Sequence, residues 1–190
     1  MPELPEVETI VRELRKKVVK KTFSDVWTDT PQIVRKPQNI DEFKKEIKGK
    51  TIENVWRRGK NIIFDLSENK SLLIHQKLTG HLLFGYWVLD NGCWKPKTKG
   101  PLEEKINTYI HLLFILDNNK MLALSDVRKF AKVELWEREG LLNSKEFKNL
   151  GPEPLDKRFT FQEFKKVLPQ KGKIKQVLMD RVAIKTLRPD

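Results

Sequence analysis

The feature that most constrains the fold is a succession of short segments rich in β-branched and aromatic residues, each closed by a polar or glycine-containing break. Such segments favour β-strands, and breaks such as Asp90-Asn91-Gly92 favour turns. Their close spacing predicts antiparallel neighbours, which bury their apolar faces as two packed sheets. The predicted strands are Thr22–Trp27, Thr51–Arg57, Asn61–Leu66, Ser71–Gln76, His81–Val88, Thr108–Leu116 and Lys120–Ser125.

Apolar residues ahead of this region repeat every three or four positions, which predicts an amphipathic helix from about Glu3 to Lys20. Its acidic start and basic end complement the helix dipole. A second, short helix is compatible with Asp41–Ile47. The expected fold class is therefore α+β, mainly β: a two-sheet antiparallel β-sandwich with an N-terminal helix and a short helical C-terminal remnant.

The sequence changes character after Trp136. Leu150–Asp156 has the glycine and proline density of a linker, and helical spacing returns in Thr160–Leu168 and Lys173–Asp180. We therefore predict one domain over 1–150 and a linker with a partial helical region over 151–190. The ten residues after Asp180 are too few to complete another domain, so this second portion is expected to be cut short.

Charge and composition narrow the possible partners. The net charge is +12 and the isoelectric point is near 9.7. This favours a polyanionic partner, because neutralised phosphates release condensed counterions. The sequence lacks an apolar run of membrane-spanning length and a signal peptide, so a cytosolic location is expected. The single cysteine, Cys93, excludes an internal disulfide and a multi-cysteine zinc site.

The N-terminus offers a nucleophile. Removal of Met1 would leave Pro2 with a terminal amine, and an α-amino pKa of about 7.7–8 leaves a neutral fraction at physiological pH. Attack on a sugar C1′ gives an iminium, which permits β-elimination of the neighbouring phosphate. Glu3 and Glu6 supply nearby carboxyl groups for proton transfer. The alternative is purely structural, since proline and acids also stabilise a helix start.

The opening MPELPEVETIVRELRKKVVKK resembles that of formamidopyrimidine-DNA glycosylases and their endonuclease VIII relatives. The likeness continues in order over essentially the whole chain, through Trp56–Lys60, His75–Gly80, Asp126–Phe130 and Leu150–Pro154. The resemblance implies that Pro2 matches the Schiff-base nucleophile, Glu3 the general acid and Glu6 a second carboxylate near the site. It also implies that Lys60 lies on a hairpin turn and grips phosphate beside the lesion. An ordinary solvated turn lysine is the alternative for Lys60.

The same resemblance assigns three residues to the void that a flipped nucleotide leaves. Leu78 stands where the family commonly has a wedging methionine, and Arg128 and Phe130 match the other two void-filling positions. An apolar wedge, an aromatic wedge and a cation suit this task. Core packing is the alternative for Leu78 and Phe130, although their polar neighbours favour exposed loop tips. Lys77 stands where the family usually has glycine, which is expected to alter how this loop approaches the DNA backbone.

The three histidines lack the spacing of a metal site. His75 and His111 are interpreted as structural or phosphate-contacting, and His81 is left unassigned. Full-length relatives continue through a helix–two-turn–helix element and usually a zinc or zincless finger. Lys173–Asp180 resembles the first helix of that element, but Arg181–Asp190 lacks its Gly-Asn-rich turn. No cofactor is therefore expected in this chain, although full-length relatives usually carry a structural zinc.

The first functional hypothesis is a base-excision repair glycosylase with abasic-site lyase activity. It would act as a monomer, in the cytoplasm and associated with the nucleoid. Its partner would be double-stranded DNA with oxidised bases or abasic sites, with oxidised purines such as 8-oxoguanine and formamidopyrimidines preferred. The second hypothesis is a non-catalytic or weakly active remnant that binds damaged DNA. A basic β-sandwich that binds acidic proteins is a third possibility, and it leaves the ordered motifs unexplained.

Overall fold

The computed structural model describes residues 2–153, 155–156 and 158–168. Its helices are α1 (Leu4–Val18), α2 (Ile40–Ile47), α3 (Arg138–Asn143), α4 (Lys145–Lys148) and α5 (Phe161–Val167). Its strands are β1 (Phe23–Thr28), β2 (Val34–Lys36), β3 (Ile52–Arg58), β4 (Asn61–Leu66), β5 (Lys70–His75), β6 (Gly80–Gly85), β7 (Trp87–Asp90), β8 (Cys93–Pro96), β9 (Ile110–Leu116), β10 (Met121–Asp126) and β11 (Lys132–Glu137). None of the described helices has the length and apolar composition that crossing a membrane requires.

The strands form two main sheets, which confirms the predicted mainly-β sandwich with an N-terminal helix. One sheet has five strands in the order β2-β11-β5-β4-β3, and the other has four in the order β1-β9-β10-β6. Strands β7 and β8 form a separate hairpin. Among the described residues, the pairing of β2 with β11 is parallel and every other strand pair is antiparallel.

The main core lies between the two sheets and beneath α1. Phe23 and Phe43 are fully buried against Phe114, with ring centroids 5.3 and 6.3 Å from it. The predicted apolar stripe of α1 is buried at Leu4, Val7, Val11, Leu14 and Val18, while Ile10 is half-buried. Arg15 on the same helix donates from Nε to the backbone oxygen of Val55 at 2.8 Å. This contact ties the C-terminal part of α1 to β3, which leads into the turn that carries Lys60.

A second apolar cluster covers the outer face of the five-stranded sheet. Phe147 of α4 packs edge-on against Trp56 of β3, with ring centroids 6.3 Å apart. Leu141 and Leu150 join the same cluster around Ile63 of β4. The chain after β11 therefore folds back over the strands that lead to the Lys60 turn.

The sequence predicted most strands and missed several short elements. Asn61–Leu66 is β4 as predicted, whereas the predicted strand His81–Val88 is divided between β6 and β7. Strands β2, β8 and β11 and helices α3 and α4 were not predicted. The missed elements are six residues or fewer, and charged side chains interrupt their apolar pattern. The predicted helix Lys173–Asp180 and the segment Arg181–Asp190 lie outside the described residues.

Candidate active site

The first turn of α1 holds the two carboxylates predicted for catalysis. Glu3 precedes the helix in an extended conformation, and its backbone N–H donates to Oε2 of Glu6 at 2.9 Å. This contact satisfies a backbone donor ahead of the helix, as in a capping box. Pro2 and Glu3 are half-buried, while Glu6 is exposed. Glu6 therefore has a structural role in orienting Glu3.

Lys60 comes from the opposite direction, on the two-residue turn between β3 and β4. Arg58 pairs with Asn61 across this turn, and Gly59 has φ +57°, a conformation that favours glycine. The Nζ atom of Lys60 lies 3.1 Å from Oε2 and 3.2 Å from Oε1 of Glu3. The lysine side chain is only 9% exposed, so it is not an ordinary solvated turn lysine. The fold thus brings together an acid and a cation that are 57 positions apart in the sequence.

A charged network holds the Lys60 turn from behind. Arg57 donates from Nε to Glu8 at 2.7 Å and from Nη1 to Glu153. Glu153 also accepts from the backbone N–H of Gly59 at 2.5 Å. Arg58 donates from Nη2 to the backbone oxygen of Leu150 at 2.8 Å and from Nη1 to Glu153 at 3.4 Å. Helix α1, the turn and the segment after α4 are therefore tied together by one set of contacts.

Glu8 connects this network to the surface of α1. It accepts from Arg12 at 2.8 Å on one oxygen and from Arg57 on the other. Burial alone would raise the pKa of Glu8, but the hydrogen bonds and positive charges of Arg12 and Arg57 outweigh it and lower the pKa. Glu8 is therefore a stable anion that holds Arg57 in place.

A cleft of about 630 Å³ opens beside the start of α1. Its lining residues are Pro2, Pro5, Glu6, Thr9, Ile10 and His81. His81 comes from β6, in the other sheet, and burial lowers its pKa below the ordinary value. Burial thus favours the neutral form of the imidazole, which lines the same space as Pro2 and Glu6. Sequence reasoning left His81 unassigned, because only the folded arrangement of β6 beside α1 brings it to this cleft.

The three predicted void-filling residues lie on two neighbouring loops. Leu78 is on the loop between β5 and β6, and Arg128 and Phe130 are on the loop between β10 and β11. Strands β6 and β10 are paired, with Gly80 opposite Asp126, so the two loops leave the same edge together. Phe130 is 54% exposed, which excludes core packing for it. Leu78 is half-buried and Arg128 is exposed.

Lys77 gives a physical reason for the glycine that the family usually has at this position. Its φ is +55°, in the left-handed region that costs a non-glycine residue about 1–2 kcal/mol. Its backbone N–H donates to Nδ1 of His75 at 3.0 Å. His75 therefore has a structural contact, as one of its two predicted readings required. His111 likewise pairs through Nδ1 with Asp29 at 2.9 Å.

Among the described residues there is no group of three or more histidine, cysteine, aspartate or glutamate side chains that could hold a metal ion. The groups around the start of α1 are the Pro2 nitrogen, the carboxylates of Glu3 and Glu6, the Lys60 ammonium and the His81 imidazole. Carboxylates, amines and imidazoles are groups that can transfer protons.

Comparison with known proteins identifies relatives of the chain. The family model described as "Formamidopyrimidine-DNA glycosylase N-terminal domain" matches residues 1–133. The formamidopyrimidine-DNA glycosylase of Desulforamulus reducens is 35% identical over 183 residues, which are 95% of this chain and 60% of that protein. The chain thus spans about three fifths of that relative's length.

Solved structures of the same family also match the chain. The structure of Lactococcus lactis Fpg in complex with DNA containing an abasic site is 31% identical and has a TM-score of 0.78. It covers 98% of this chain, which in turn covers 64% of the Lactococcus protein. The complex of the same protein with DNA containing N7-benzyl-Fapy-dG also has a TM-score of 0.78. The match over residues 1–133 and the shared fold establish that the chain belongs to the formamidopyrimidine-DNA glycosylase N-terminal domain family.

Proposed function

We propose that the chain acts as a base-excision repair DNA glycosylase with abasic-site lyase activity. Its substrate would be duplex DNA that contains oxidised purines, such as 8-oxoguanine and formamidopyrimidines. The observation that carries the proposal is the 3.1 Å ion pair between Lys60 and Glu3, the residue that follows Pro2 in the sequence. A nucleophile, an acid and a phosphate-binding cation are the groups that this chemistry needs. The Lactococcus relative has been crystallised with DNA containing an abasic site, which supports the same substrate class.

The first step uses the amine of Pro2 after removal of Met1. The neutral nitrogen attacks C1′ of the damaged nucleoside, and the C1′–N bond to the base breaks with its electron pair leaving on the base. The base then takes up a proton from water. The proline nitrogen passes its own proton to the Glu3 carboxylate and forms an iminium with C1′ as the C1′–O4′ bond opens. In this scheme Glu3 delivers that proton to O4′, as a general acid beside the reacting centre.

The second step cleaves the strand. The iminium acidifies the hydrogens on C2′, and the Glu3 carboxylate, ionised after the first step, accepts one of them. The electron pair left on C2′ expels the 3′ phosphate by β-elimination. Hydrolysis of the remaining iminium by water restores the Pro2 amine and releases the unsaturated sugar. A further elimination on the 5′ side would follow the same logic.

Lys60 would bind a phosphate next to the lesion. Because its Nζ contacts Glu3 in the DNA-free chain, an arriving phosphate shares or replaces that carboxylate as its partner. This exchange keeps the lysine charge balanced at each stage and avoids an uncompensated buried cation. The Arg57–Glu153 contact behind the turn keeps Lys60 in reach during the exchange.

The DNA would lie across the face that carries the Pro2 cleft and the two loops of Leu78, Arg128 and Phe130. The exposed Phe130 ring and the Arg128 guanidinium suit insertion into the space of an extruded nucleotide. The positive net charge of +12 supports a phosphate-rich partner. In this proposal the protein works as a monomer, in the cytoplasm near the nucleoid.

A second candidate function is non-catalytic binding of damaged DNA. It is favoured by the structural contacts of the proposed catalytic groups, since Glu6 accepts from the Glu3 N–H at the start of α1 and Glu3 pairs with Lys60. Such contacts stabilise a fold even when no chemistry occurs. This candidate predicts salt-sensitive DNA binding without a covalent intermediate.

Borohydride trapping on duplex DNA with one abasic site separates the two candidates. The full chain, with Met1 removal verified by intact mass, is compared with Pro2→Gly and Glu3→Gln. Glu42→Gln is the matched control, because Glu42 is a first-turn acid of α2 rather than α1. The proposal predicts a covalent adduct that maps to Pro2, reduced trapping in the first two variants, and normal trapping in the control. DNA binding without any adduct would leave the non-catalytic candidate.

A further inference from the structure

One buried carboxylate contacts both loops that carry the void-filling residues. Asp126 is the last residue of β10 and is fully buried. Its Oδ1 accepts from the hydroxyl of Thr79, on the Leu78 loop, and from the backbone N–H of Arg128 at 3.2 Å. Its Oδ2 accepts from the backbone N–H of Ala131 at 2.7 Å. The carboxylate thus bridges one loop to both ends of the other.

The residues that bind Asp126 also bind one another. The hydroxyl of Thr79 donates to Asp126 and accepts from the same Arg128 N–H at 3.1 Å. The backbone oxygen of Asp126 accepts from Lys129 at 3.2 Å, and its backbone N–H donates to Tyr109 at 2.9 Å. A buried carboxylate is tolerated only where several donors converge on it, and here the donors come from the loops themselves.

The side chains that would enter DNA depend on these contacts for their direction. Leu78 immediately precedes Thr79, and Phe130 lies between Arg128 and Ala131, whose N–H groups both bind Asp126. Phe130 is 54% exposed and therefore receives little orientation from packing. The hydrogen bonds to Asp126 supply the restraint that packing does not.

We infer that Asp126 is a positioning residue that sets the Leu78 loop and the Arg128–Phe130 loop in one fixed arrangement, ready to fill the void of an extruded nucleotide. The inference rests on the proposed function, because it assumes that these loops enter damaged duplex DNA. Loops held in the bound arrangement before binding lose less conformational entropy on association. Asp126 itself would not contact the DNA.

Thr79→Val tests the bridge with the least disturbance, because it removes the hydroxyl and leaves the buried carboxylate in place. Thr79→Ser is the matched control, since serine keeps the hydroxyl. Asp126→Asn is the second variant, because its amide nitrogen cannot accept the hydrogen bond that one carboxylate oxygen accepts now. All are made in the full chain, and their folding is compared by thermal unfolding.

Two measurements report directly whether the loop side chains fill the void. The first is the ratio of affinities for a duplex with a tetrahydrofuran abasic analogue and for the same undamaged duplex. The second is fluorescence of 2-aminopurine placed opposite the tetrahydrofuran site, which reports insertion of side chains beside it. Thr79→Val is expected to lower the affinity ratio about tenfold, from the loss of a hydrogen bond to a charged group. It is also expected to reduce the fluorescence change, and Thr79→Ser is expected to behave as the wild-type chain.

Borohydride trapping on a single-stranded abasic oligonucleotide separates positioning from general damage. A single strand has no void to fill, so trapping there should be equal in wild type, Thr79→Val and Thr79→Ser. An unchanged affinity ratio and fluorescence in Thr79→Val would overturn the inference, as would an equal loss on single and double strands. If the wild-type chain forms no adduct at all, the proposed lyase chemistry fails, while the tetrahydrofuran duplex measurements still decide the role of Asp126.

Discussion

The Lys60 turn and the two loops that carry Leu78, Arg128 and Phe130 are held in place in different ways. In the proposed function each would present a side chain to DNA, and each is held by a carboxylate behind it. Glu153 holds the Lys60 turn through the Arg57 guanidinium and the Gly59 N–H. Asp126 holds the loops through a hydroxyl and backbone N–H groups, and among the described residues no guanidinium or ammonium group hydrogen-bonds to it.

The difference follows from what each region must do. Lys60 is 9% exposed, so its position must be fixed by charges that offset one another in a partly dry environment. Phe130 is exposed and would enter DNA in the proposed function, so its loop needs direction more than charge balance. Directional hydrogen bonds to the Asp126 carboxylate fix the direction of the loop. We expect damage to the first region to affect chemistry and stability, and damage to the second to affect recognition of damaged duplexes.

The largest expected effect is on chemistry at the Lys60 turn. Lys60→Met removes the cation but keeps an unbranched side chain of similar length. Strand cleavage at an abasic site should fall by about 100-fold, as for loss of one group that stabilises developing charge. Cleavage of single-stranded and duplex substrates should fall alike, and gel-based single-turnover assays measure both. Lys97→Met, at an exposed lysine of the β7–β8 side, is the control. A Lys60→Met chain with normal cleavage would remove Lys60 from the proposed mechanism.

The next effect is on stability. Glu153→Ala leaves Arg57, whose side chain is 6% exposed, with Glu8 as its remaining carboxylate among the described contacts. Loss of hydrogen bonds to a charged, mostly buried group should lower the free energy of unfolding by about 2 kcal/mol. Urea unfolding followed by tryptophan fluorescence measures it. Glu163→Ala, whose acid lies on exposed α5, should change it by less than about 0.5 kcal/mol. Equal values for the two variants would mean that Glu153 does not secure the turn.

A smaller effect is expected on affinity for damaged duplex DNA when Phe130 is replaced. Phe130→Ala should leave the unfolding free energy almost unchanged, because the ring is 54% exposed. Affinity for a duplex with a tetrahydrofuran site should fall by about tenfold, in line with the loss of one aromatic contact to bases. Phe161→Ala, at a ring that is 68% exposed on α5, is the matched control. Fluorescence anisotropy with both variants measures the difference, and equal affinities would argue against insertion of Phe130.

The same contrast explains how much could be predicted from the sequence. The α1 stripe and strand β4 follow from local periodicity, so the main elements and the position of Lys60 on a turn were predicted correctly. Glu153 was placed in a linker because its glycine and proline neighbours dominate the local pattern. Its partners Arg57 and Gly59 are 96 and 94 positions away, and no local signal links residues at that distance. The predicted boundary near residue 150 stays a prediction.

Distance along the chain also hid His81 and Asp126. His81 reaches the Pro2 cleft only because β6 lies beside the start of α1. Asp126 belongs to a motif that was noted for Arg128 and Phe130, yet its own role depends on Thr79, 47 positions earlier. The sequence therefore suggests the proposed DNA-contacting groups more readily than the groups that hold them, because the holding contacts are made between distant elements.

The smallest predicted effect concerns the pH dependence of stability at His81. Burial is the main cause of its lowered pKa, and the negative charges of Asp126 and Glu104 oppose this without cancelling it. The unfolded chain therefore binds a proton at His81 at a higher pH than the folded chain does. Linkage then makes this group's contribution to stability fall as the pH drops from above 6.5 through the folded pKa.

His81→Gln removes this titration while keeping a polar side chain on the cleft wall. Urea unfolding at pH 7.5 and pH 5.5 should show a smaller loss of stability at the lower pH in His81→Gln than in the wild-type chain. His75→Gln is the comparison variant, because His75 accepts the Lys77 N–H and its loss should disturb the Leu78 loop at both pH values. A wild-type pH dependence in His81→Gln would show that burial does not lower the pKa of the imidazole beside Pro2 and Glu6 enough to affect stability.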